Sequence, residues 1–368
     1  MTSLEEIKNV WNELGRKDPL WAVLTEPDKE GHKWDPKEFF RIGADEIASV
    51  MDHVASLADD LSRKRALDFG CGVGRLTKAL SLYFDEVIGV DISSSMLDDA
   101  RRLNPDLDPG RFVINDRDDL CQFGDDFFDF IYSNITLQHI DPTYSVRYIK
   151  EFMRILAPGG MLVFQLPARP ARLGRRIVYR LFRHAWYEFI KLRAQSRAIM
   201  EIHAISQKRI VSLIGRNGGR VLDTIRDQYA GPEWVSLKYF ILSPKYNLRL
   251  LGVRCQKVFR KNETGTIDLV LENKNSRRGI AEPPDEKVRL GGKLYREYSD
   301  LQGQPLKEFR SELPFPIAAG AHIKKKMGLD FRGVGEGRYL LFLDLVNERK
   351  YWFSQLGFRP IIKKITVV

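Results

Sequence analysis

Between residues 65 and 166 short β-like runs alternate with helical patterns: RALDF then RLTKALSLYF, VIGVD then SMLDDARRL, RFVIN, FDFIYSN then SVRYIKEFMRIL, and MLVFQL. Strand and helix alternating at this spacing imply crossover connections, which predicts an α/β fold with a parallel sheet and helices on both faces. A helix near 206–216 and the strands RVLDTI and WVSLKYFIL are expected to complete the sheet by about residue 243. Upstream, residues 1–64 read as a helical cap, interrupted by WAVLTEPDKEGHKWDPKEFF, a Trp-, Phe- and Pro-rich stretch suited to cover a site. After SPKYN the pattern changes to short strands punctuated by Gly, Pro and Asn, the signature of an all-β antiparallel sandwich over 248–368.

With 368 residues the chain is long enough for about two domains, each burying its own core. No apolar run reaches the length of a membrane span, and MTSLEEIKNVWNELGRKD is charged and helical in pattern, unlike a signal peptide. These features predict a cytoplasmic protein. Three scattered cysteines, Cys71, Cys121 and Cys255, have no spacing for a disulfide framework or a metal site. The net charge of +10 is local: residues 169–220 hold thirteen Lys/Arg against Glu188 and Glu201, leaving the rest nearly neutral. Anionic partners therefore concern that segment.

Gly70, Gly72 and Gly74 stand at alternate positions in DFGCGVG, at a strand-to-helix turn. Bare backbone there admits positive φ and a close ligand. A dinucleotide fingerprint needs glycine at position 75, where Arg75 stands, and no P-loop GK[ST] follows. Asp91, closing the next strand in VIGVDIS, is placed to accept hydrogen bonds from both hydroxyls of a ribose. Asp68, just before the glycines, adds a second carboxylate, which suits a cationic nucleoside better than a pyrophosphate.

The motifs DFGCGVG, VDIS followed by Met96, RFVINDRDDL, FDFIYSNITLQHI and LAPGGMLVFQLP, in this order, resemble those of the class I S-adenosylmethionine-dependent methyltransferases. The resemblance spans about residues 65–166 and implies a Rossmann-like, seven-stranded, mostly parallel sheet with S-adenosyl-L-methionine as cofactor. It implies that Asp68 and the backbone of Gly70, Cys71, Gly72 and Gly74 hold the amino-acid part and Asp91 the ribose. Ile92 and Met96 would flank the adenine, Asp116 and Arg117 would lie near its edge, and Asn134 to Thr136 would border the sulfonium and the acceptor. Asn115 and Asp116 are also good turn residues.

Methyl transfer is an in-line displacement, so positioning the acceptor supplies much of the catalysis, with a base needed only where the acceptor holds its proton tightly. Candidate catalytic bases are His139 in LQHID and His203 in IMEIHAIS, each of which can equally be a satisfied hydrogen-bonding residue. Glu201, Gln165 and Tyr132 are candidates for the acceptor pocket. The fourth strand ends in SNIT rather than the [DN]PP[YF] of enzymes that methylate a base amine, so nucleic acid is not the expected acceptor. RPARLGRRIVYRLFRHAWYEFIKLRAQSR reads as a basic amphipathic helix within 169–193, either a solvated face or a contact with an anionic membrane surface or a phosphate-bearing acceptor. In the sandwich, Tyr351, Trp352 and Phe353 are candidates to stack on a sugar, with strand alternation sending part of them to the core. The expected reaction is O-methylation of a saccharide or lipid-linked glycan. The alternatives are a small lipid or natural-product hydroxyl or carboxyl, or a non-catalytic cofactor-binding scaffold.

Overall fold

The computed structural model describes residues 3–58, 60–172, 200–274, 279–280, 287–298, 301, 303–348, 351–356 and 359–368. The basic helix expected within 169–193 lies, from residue 173, outside the described residues, as does the side chain of Tyr351. The chain forms two compact units, Met1–Lys245 and Tyr246–Val368.

The first unit opens with helices whose starts are written in the sequence. Helix α1 (Leu4–Lys17) begins at a capping box: the Glu6 N–H donates to Ser3 Oγ at 3.2 Å and the Ser3 N–H returns to the Glu6 carboxylate at 2.7 Å. Its last turn carries Arg16 and Lys17, which suit the negative end of the helix dipole. Asp18 caps α2 (Pro19–Val23), and Asp35 followed by Pro36 starts α3 (Pro36–Leu57). Helices α4 (Arg75–Leu80), α5 (Ser94–Leu103), α6 (Pro142–Ile155) and α7 (Gln207–Arg216) alternate with strands β1 (Arg65–Phe69), β2 (Glu86–Asp91), β3 (Phe112–Ile114), β4 (Phe128–Ser133), β5 (Leu156–Pro170), β6 (Arg220–Asp227) and β7 (Trp234–Leu242).

These strands form one sheet in the order β3-β2-β1-β4-β5-β7-β6. The first five run parallel, and β7 enters antiparallel between β5 and β6. The seven-stranded, mostly parallel Rossmann-like sheet expected from the sequence is present. Both faces are covered. Leu67, Phe69, Ile131, Leu162 and Phe164 pack with Ile149 and Phe152 of α6, while Ala66, Val87, Phe130, Met161 and Val163 pack with Ile47, Val50 and Val54 of α3. Side chains of this size, fully buried, contribute roughly 1.5–3 kcal/mol each, which holds the sheet rigid beneath the loops at its carboxyl edge. The strand order reverses between β1 and β4, so a crevice opens where Gly70, Asp91 and Asn134 leave their strands.

The second unit holds β8 (Leu248–Arg254), β9 (Val258–Phe259), β10 (Thr264–Asn273), β11 (Val288–Arg296), β12 (Lys307–Glu312), β13 (His322–Asp330), β14 (Gly337–Asn347), β15 (Tyr351–Trp352) and β16 (Ile361–Val367). A three-stranded sheet, β13-β10-β8, and a six-stranded one built on β12-β11-β14-β16-β9 share a single core, in which Leu269, Leu271 and Met327 of the first meet Leu290, Leu341 and Leu343 of the second. Phe353 belongs to that core. Trp352 lies against Gly291, with the Lys293 ammonium 4.1 Å and the Arg310 guanidinium 4.7 Å from its ring centre.

At the end of β1, Gly70 adopts φ +78°, and a Cβ there would lie 2.6 Å from the Cβ of Thr136, which follows β4. The glycine therefore permits both the turn and the close approach of two loops. Gly70→Ala is expected to lower stability by about 2 kcal/mol or more, and Thr136→Gly in the same chain to recover part of that loss, the cost of positive φ remaining. Urea unfolding of the single and double variants measures this; equal stability of Gly70→Ala and the parent contradicts it.

Candidate active site

A cavity of about 730 Å3, counting its open mouth, occupies the crevice, enough for a nucleoside-sized molecule. Its floor is the strand ends: Phe69, Gly70 and Gly72 after β1, Asp91 and Ile92 after β2, and Asn134, Ile135 and Thr136 after β4. Its roof is the N-terminal region, with Leu4, Ile7 and Trp11 of α1 and Val23 of α2. Three contacts strap α1 down. The Asn12 side-chain oxygen accepts from the Ser95 N–H and the Ser93 hydroxyl, Lys8 pairs with Asp116 at 3.0 Å, and the Trp11 ring meets His139 edge-on at 5.4 Å.

Four backbone donors of the glycine turn are already committed. The Gly70 and Cys71 N–H groups both donate to the Val90 carbonyl, at 2.7 and 3.0 Å, Gly72 N–H to Asp91 Oδ2 at 2.8 Å, and Gly74 N–H to the Cys71 carbonyl at 2.9 Å. A phosphate cradle needs such donors turned toward the ligand. Among the described residues lining the cavity, Asp91 is the one charged side chain. Both observations oppose a dinucleotide and suit a cationic nucleoside. Asp91 Oδ1 also accepts the Ser93 N–H at 2.8 Å, so each carboxylate oxygen carries one backbone bond and keeps a lone pair for a hydroxyl. Burial raises the Asp91 pKa, opposed by these N–H groups. Ser93 then caps α5 by accepting the Met96 N–H, which sets Met96 and Ile92 on the cavity wall.

Of the residues singled out in the sequence, Gly70, Gly72, Asp91, Ile92, Met96 and Asn134 line the cavity together. Asp68 lies beneath it, buried, taking a hydrogen bond from the Thr77 hydroxyl at 2.7 Å. Cys71 is buried with its thiol pushed up by desolvation, and Gly74 caps α4 in the left-handed conformation. Asp116 and Arg117 border a separate, shallower groove; Asp116 is exposed and held acidic by Lys8, and Asn115 lines the cavity from this edge. Neither candidate histidine lines it. His139 donates from Nδ1 to the Glu201 carbonyl at 2.7 Å and contacts the Gln138 amide through Nε2 at 3.0 Å, and burial lowers its pKa to about 4. Both ring nitrogens of this neutral imidazole serve the packing of the loop after β4. His203 is buried with Nε2 3.3 Å from the Glu201 carboxylate, and its N–H holds the Gln138 carbonyl at 2.7 Å.

Two features were not foreseen. Ile135 sits at φ +58°, a strained position for a β-branched residue, and its N–H is held by Gln165 Oε1 at 3.2 Å while the Gln165 amide nitrogen is fixed by Gln138 and Ser236. Gln165 is thus a buried brace for the loop. The second is a polar cluster around Glu46 of α3, 8% exposed. Glu46 Oε1 accepts from the Tyr132 hydroxyl and from Asn134 Nδ2, each at 2.6 Å, Oε2 accepts from Arg75 at 3.0 Å, and Lys238 donates to the Tyr132 oxygen at 2.8 Å. Two patterns were visible. Glu46 falls on the apolar stripe Phe39, Gly43, Ile47, Val50, and Lys238 interrupts a strand buried on both faces.

Residues 67–164 match the family model described as a methyltransferase domain. That match runs from β1 to β5. S-adenosyl-L-methionine is the cofactor of such domains, and the committed turn donors, the free lone pairs of Asp91 and the absence of basic side chains among the described lining residues fit it. The chain is 34% identical over 124 residues to a demethylmenaquinone methyltransferase of Staphylococcus saprophyticus, covering 33% of this chain and 52% of the relative. It is 28% identical over 172 residues to a trans-aconitate 2-methyltransferase of Acidovorax, covering 46% and 64%. This chain thus spans about half of the first of these relatives and just under two thirds of the second. Among solved structures, the magnesium protoporphyrin IX methyltransferase of Synechocystis superposes with a TM-score of 0.43 at 19% identity, over 64% of this chain and 97% of that one.

Burial raises the Asp68 carboxyl from 3.8 to about 7. Below about pH 4 the folded and unfolded chains both hold this proton; between pH 4 and 7 only the folded chain does. Its contribution to stability is therefore lost as pH rises through that window and is level above it. The stability difference between the parent and Asp68→Asn is expected to change by a few kcal/mol across pH 4–8, measured by urea unfolding. Parallel profiles contradict the assignment.

Proposed function

We propose that this chain is an S-adenosyl-L-methionine-dependent methyltransferase acting on a small-molecule acceptor by O-methylation. The observation that carries the reading is the crevice in which Asp91, its two oxygens each half-committed to backbone, faces a turn whose Gly70, Cys71, Gly72 and Gly74 N–H groups are taken up within the fold. The cofactor, when bound, supplies a methyl group on a sulfonium.

In this reading Asp91 accepts the ribose hydroxyls, Ile92 and Met96 flank the adenine, and the main chain at Gly70 and Gly72 lies along the amino-acid part. Helix α1 excludes water from above with Leu4, Ile7 and Trp11, as an in-line transfer from a desolvated centre requires. The acceptor oxygen would lie on the side of Asn134 to Thr136, the methyl–sulfur bond breaking as the C–O bond forms and the hydroxyl proton passing to solvent. His139 is here a positioning group for the loop after β4. A saccharide or glycan hydroxyl is the acceptor we favour, with the second unit, two sheets around one core, serving as a β-sandwich accessory module. A small carboxylic acid is the second reading. It is favoured by the aconitate named for one relative.

Transfer of radiolabel from S-adenosylmethionine is expected into a fraction of a cell-envelope glycan extract, or, on the second reading, into small polycarboxylic acids. Asp91→Ala is expected to weaken S-adenosylmethionine binding tenfold or more, from the loss of two hydrogen bonds to a carboxylate. Binding without transfer to any fraction supports a scaffold instead, and unchanged affinity of Asp91→Ala removes the ribose assignment.

A further inference from the structure

Helix α1 closes the cavity unevenly along its length. Leu4, Ile7 and Trp11, spaced three and four apart, put one stripe of the helix over the crevice. The second half of the helix is seated on α5 by a dense set of bonds. The Asn12 side-chain oxygen accepts from the Ser93 hydroxyl at 3.0 Å, the Ser94 hydroxyl at 3.3 Å and the Ser95 N–H at 3.3 Å, and the Asn12 main-chain carbonyl accepts from the Ser95 hydroxyl at 3.0 Å. Gly15 lies so close that a Cβ there would stand 2.5 Å from Ser95 Oγ. Just beyond, the buried Asp18 carboxylate pins the following loop by accepting the Gly31 and His32 N–H groups, each at 2.8 Å. The first half has no such seat. Among the described residues, the one polar contact of residues 4–11 with the body of the first unit is the Lys8–Asp116 pair, whose side chains are 34% and 56% exposed. An ion pair so exposed adds little to stability.

We propose that α1 is a door, hinged on its Asn12–Asp18 half and latched by Lys8–Asp116, through which the nucleoside enters and leaves the cavity. The inference rests on the methyltransferase reading for the identity of the ligand and on the fold alone for the motion. Leu4, at the loosely held end, lines two spaces at once: the cavity beneath it and an open groove outside, bordered by Asp116, Arg117, Tyr144 and Arg147. Lifting the first two turns of α1 joins them. Closing them again hides Leu4 and Ile7 from water, so the shut form is the major one and the open form a minor population. Asn115 and Asp116, neighbours in the chain, line the cavity and the groove respectively, which puts the door at the edge after β3. Asn134 to Thr136, after β4, border the other end in strand order, so the spent nucleoside leaves without crossing the acceptor's side.

Hydrogen exchange on the full chain, read by mass spectrometry, tests the motion with no ligand present. The amides of residues 8–11 are expected to exchange about tenfold faster than those of residues 13–17, although both groups lie within the helix. Lys8→Glu sets a carboxylate against Asp116 and is expected to speed the first group by about threefold or more and leave the second unchanged. Stopped-flow binding of S-adenosylhomocysteine then tests the route. Lys8→Glu is expected to raise the association and dissociation rate constants together by about threefold, with a smaller change in their ratio, because Lys8 does not line the cavity. Exchanging the charges by Lys8→Glu with Asp116→Lys is expected to return both rates to the parent's. Fraying of the helix end alone would speed exchange and leave the binding rates where they were. That result, or equal protection along α1, overturns the proposal. A parent that binds no S-adenosylhomocysteine while the exchange pattern holds removes the cofactor reading and supports the door for another ligand.

Discussion

The half-buried carboxylate of Asp91 ties the site together. By accepting the Gly72 N–H with one oxygen and the Ser93 N–H with the other, it joins the loops that leave β1 and β2 and sets their spacing. Ser93, so placed, caps α5 and meets Asn12 of α1. One charged group thereby defines the floor, one wall and the attachment of the roof. Burial raises its pKa and the backbone donors oppose that shift, while they fix the direction of both oxygens where a ligand hydroxyl needs an acceptor.

The crevice behind it depends on strain and buried polarity. Ile135 is held at positive φ by Gln165, and Gln165 by Ser236 and Gln138; Asn134 is held by Glu46, and Glu46 by Arg75 and Tyr132. Buried polar groups of this kind rigidify a site when they are satisfied, because each alternative rotamer leaves a donor or acceptor bare. These bonds restrict the rotamers available to the loop after β4.

The parallel sheet was legible because strand–helix alternation has few physical solutions, and WVSLKYFIL coincides with β7 residue for residue. Asp91, Ile92 and Met96 were legible because they follow a strand end by a fixed step, and that step is local. The two histidines were read by chemical type, whereas their role is set by partners distant in sequence: His139 is kept neutral by burial, and its Nδ1 is tied to the Glu201 carbonyl, 62 residues away. The adjacent residues Asn115 and Asp116 exchanged parts because a turn sends neighbours in different directions, one to the cavity and one to Lys8. Glu46 went unread for the same reason as His139, although a carboxylate on the apolar stripe of α3 signals a buried partner.

A crystal structure of the full chain grown with S-adenosylhomocysteine addresses the central claim directly. The account predicts the ribose hydroxyls within hydrogen-bond distance of both Asp91 oxygens, adenine between Ile92 and Met96, and the amino-acid part along Gly70 toward Asn134. Density for the nucleoside elsewhere, or a crevice that stays empty with this compound and fills with a nicotinamide dinucleotide, would contradict it.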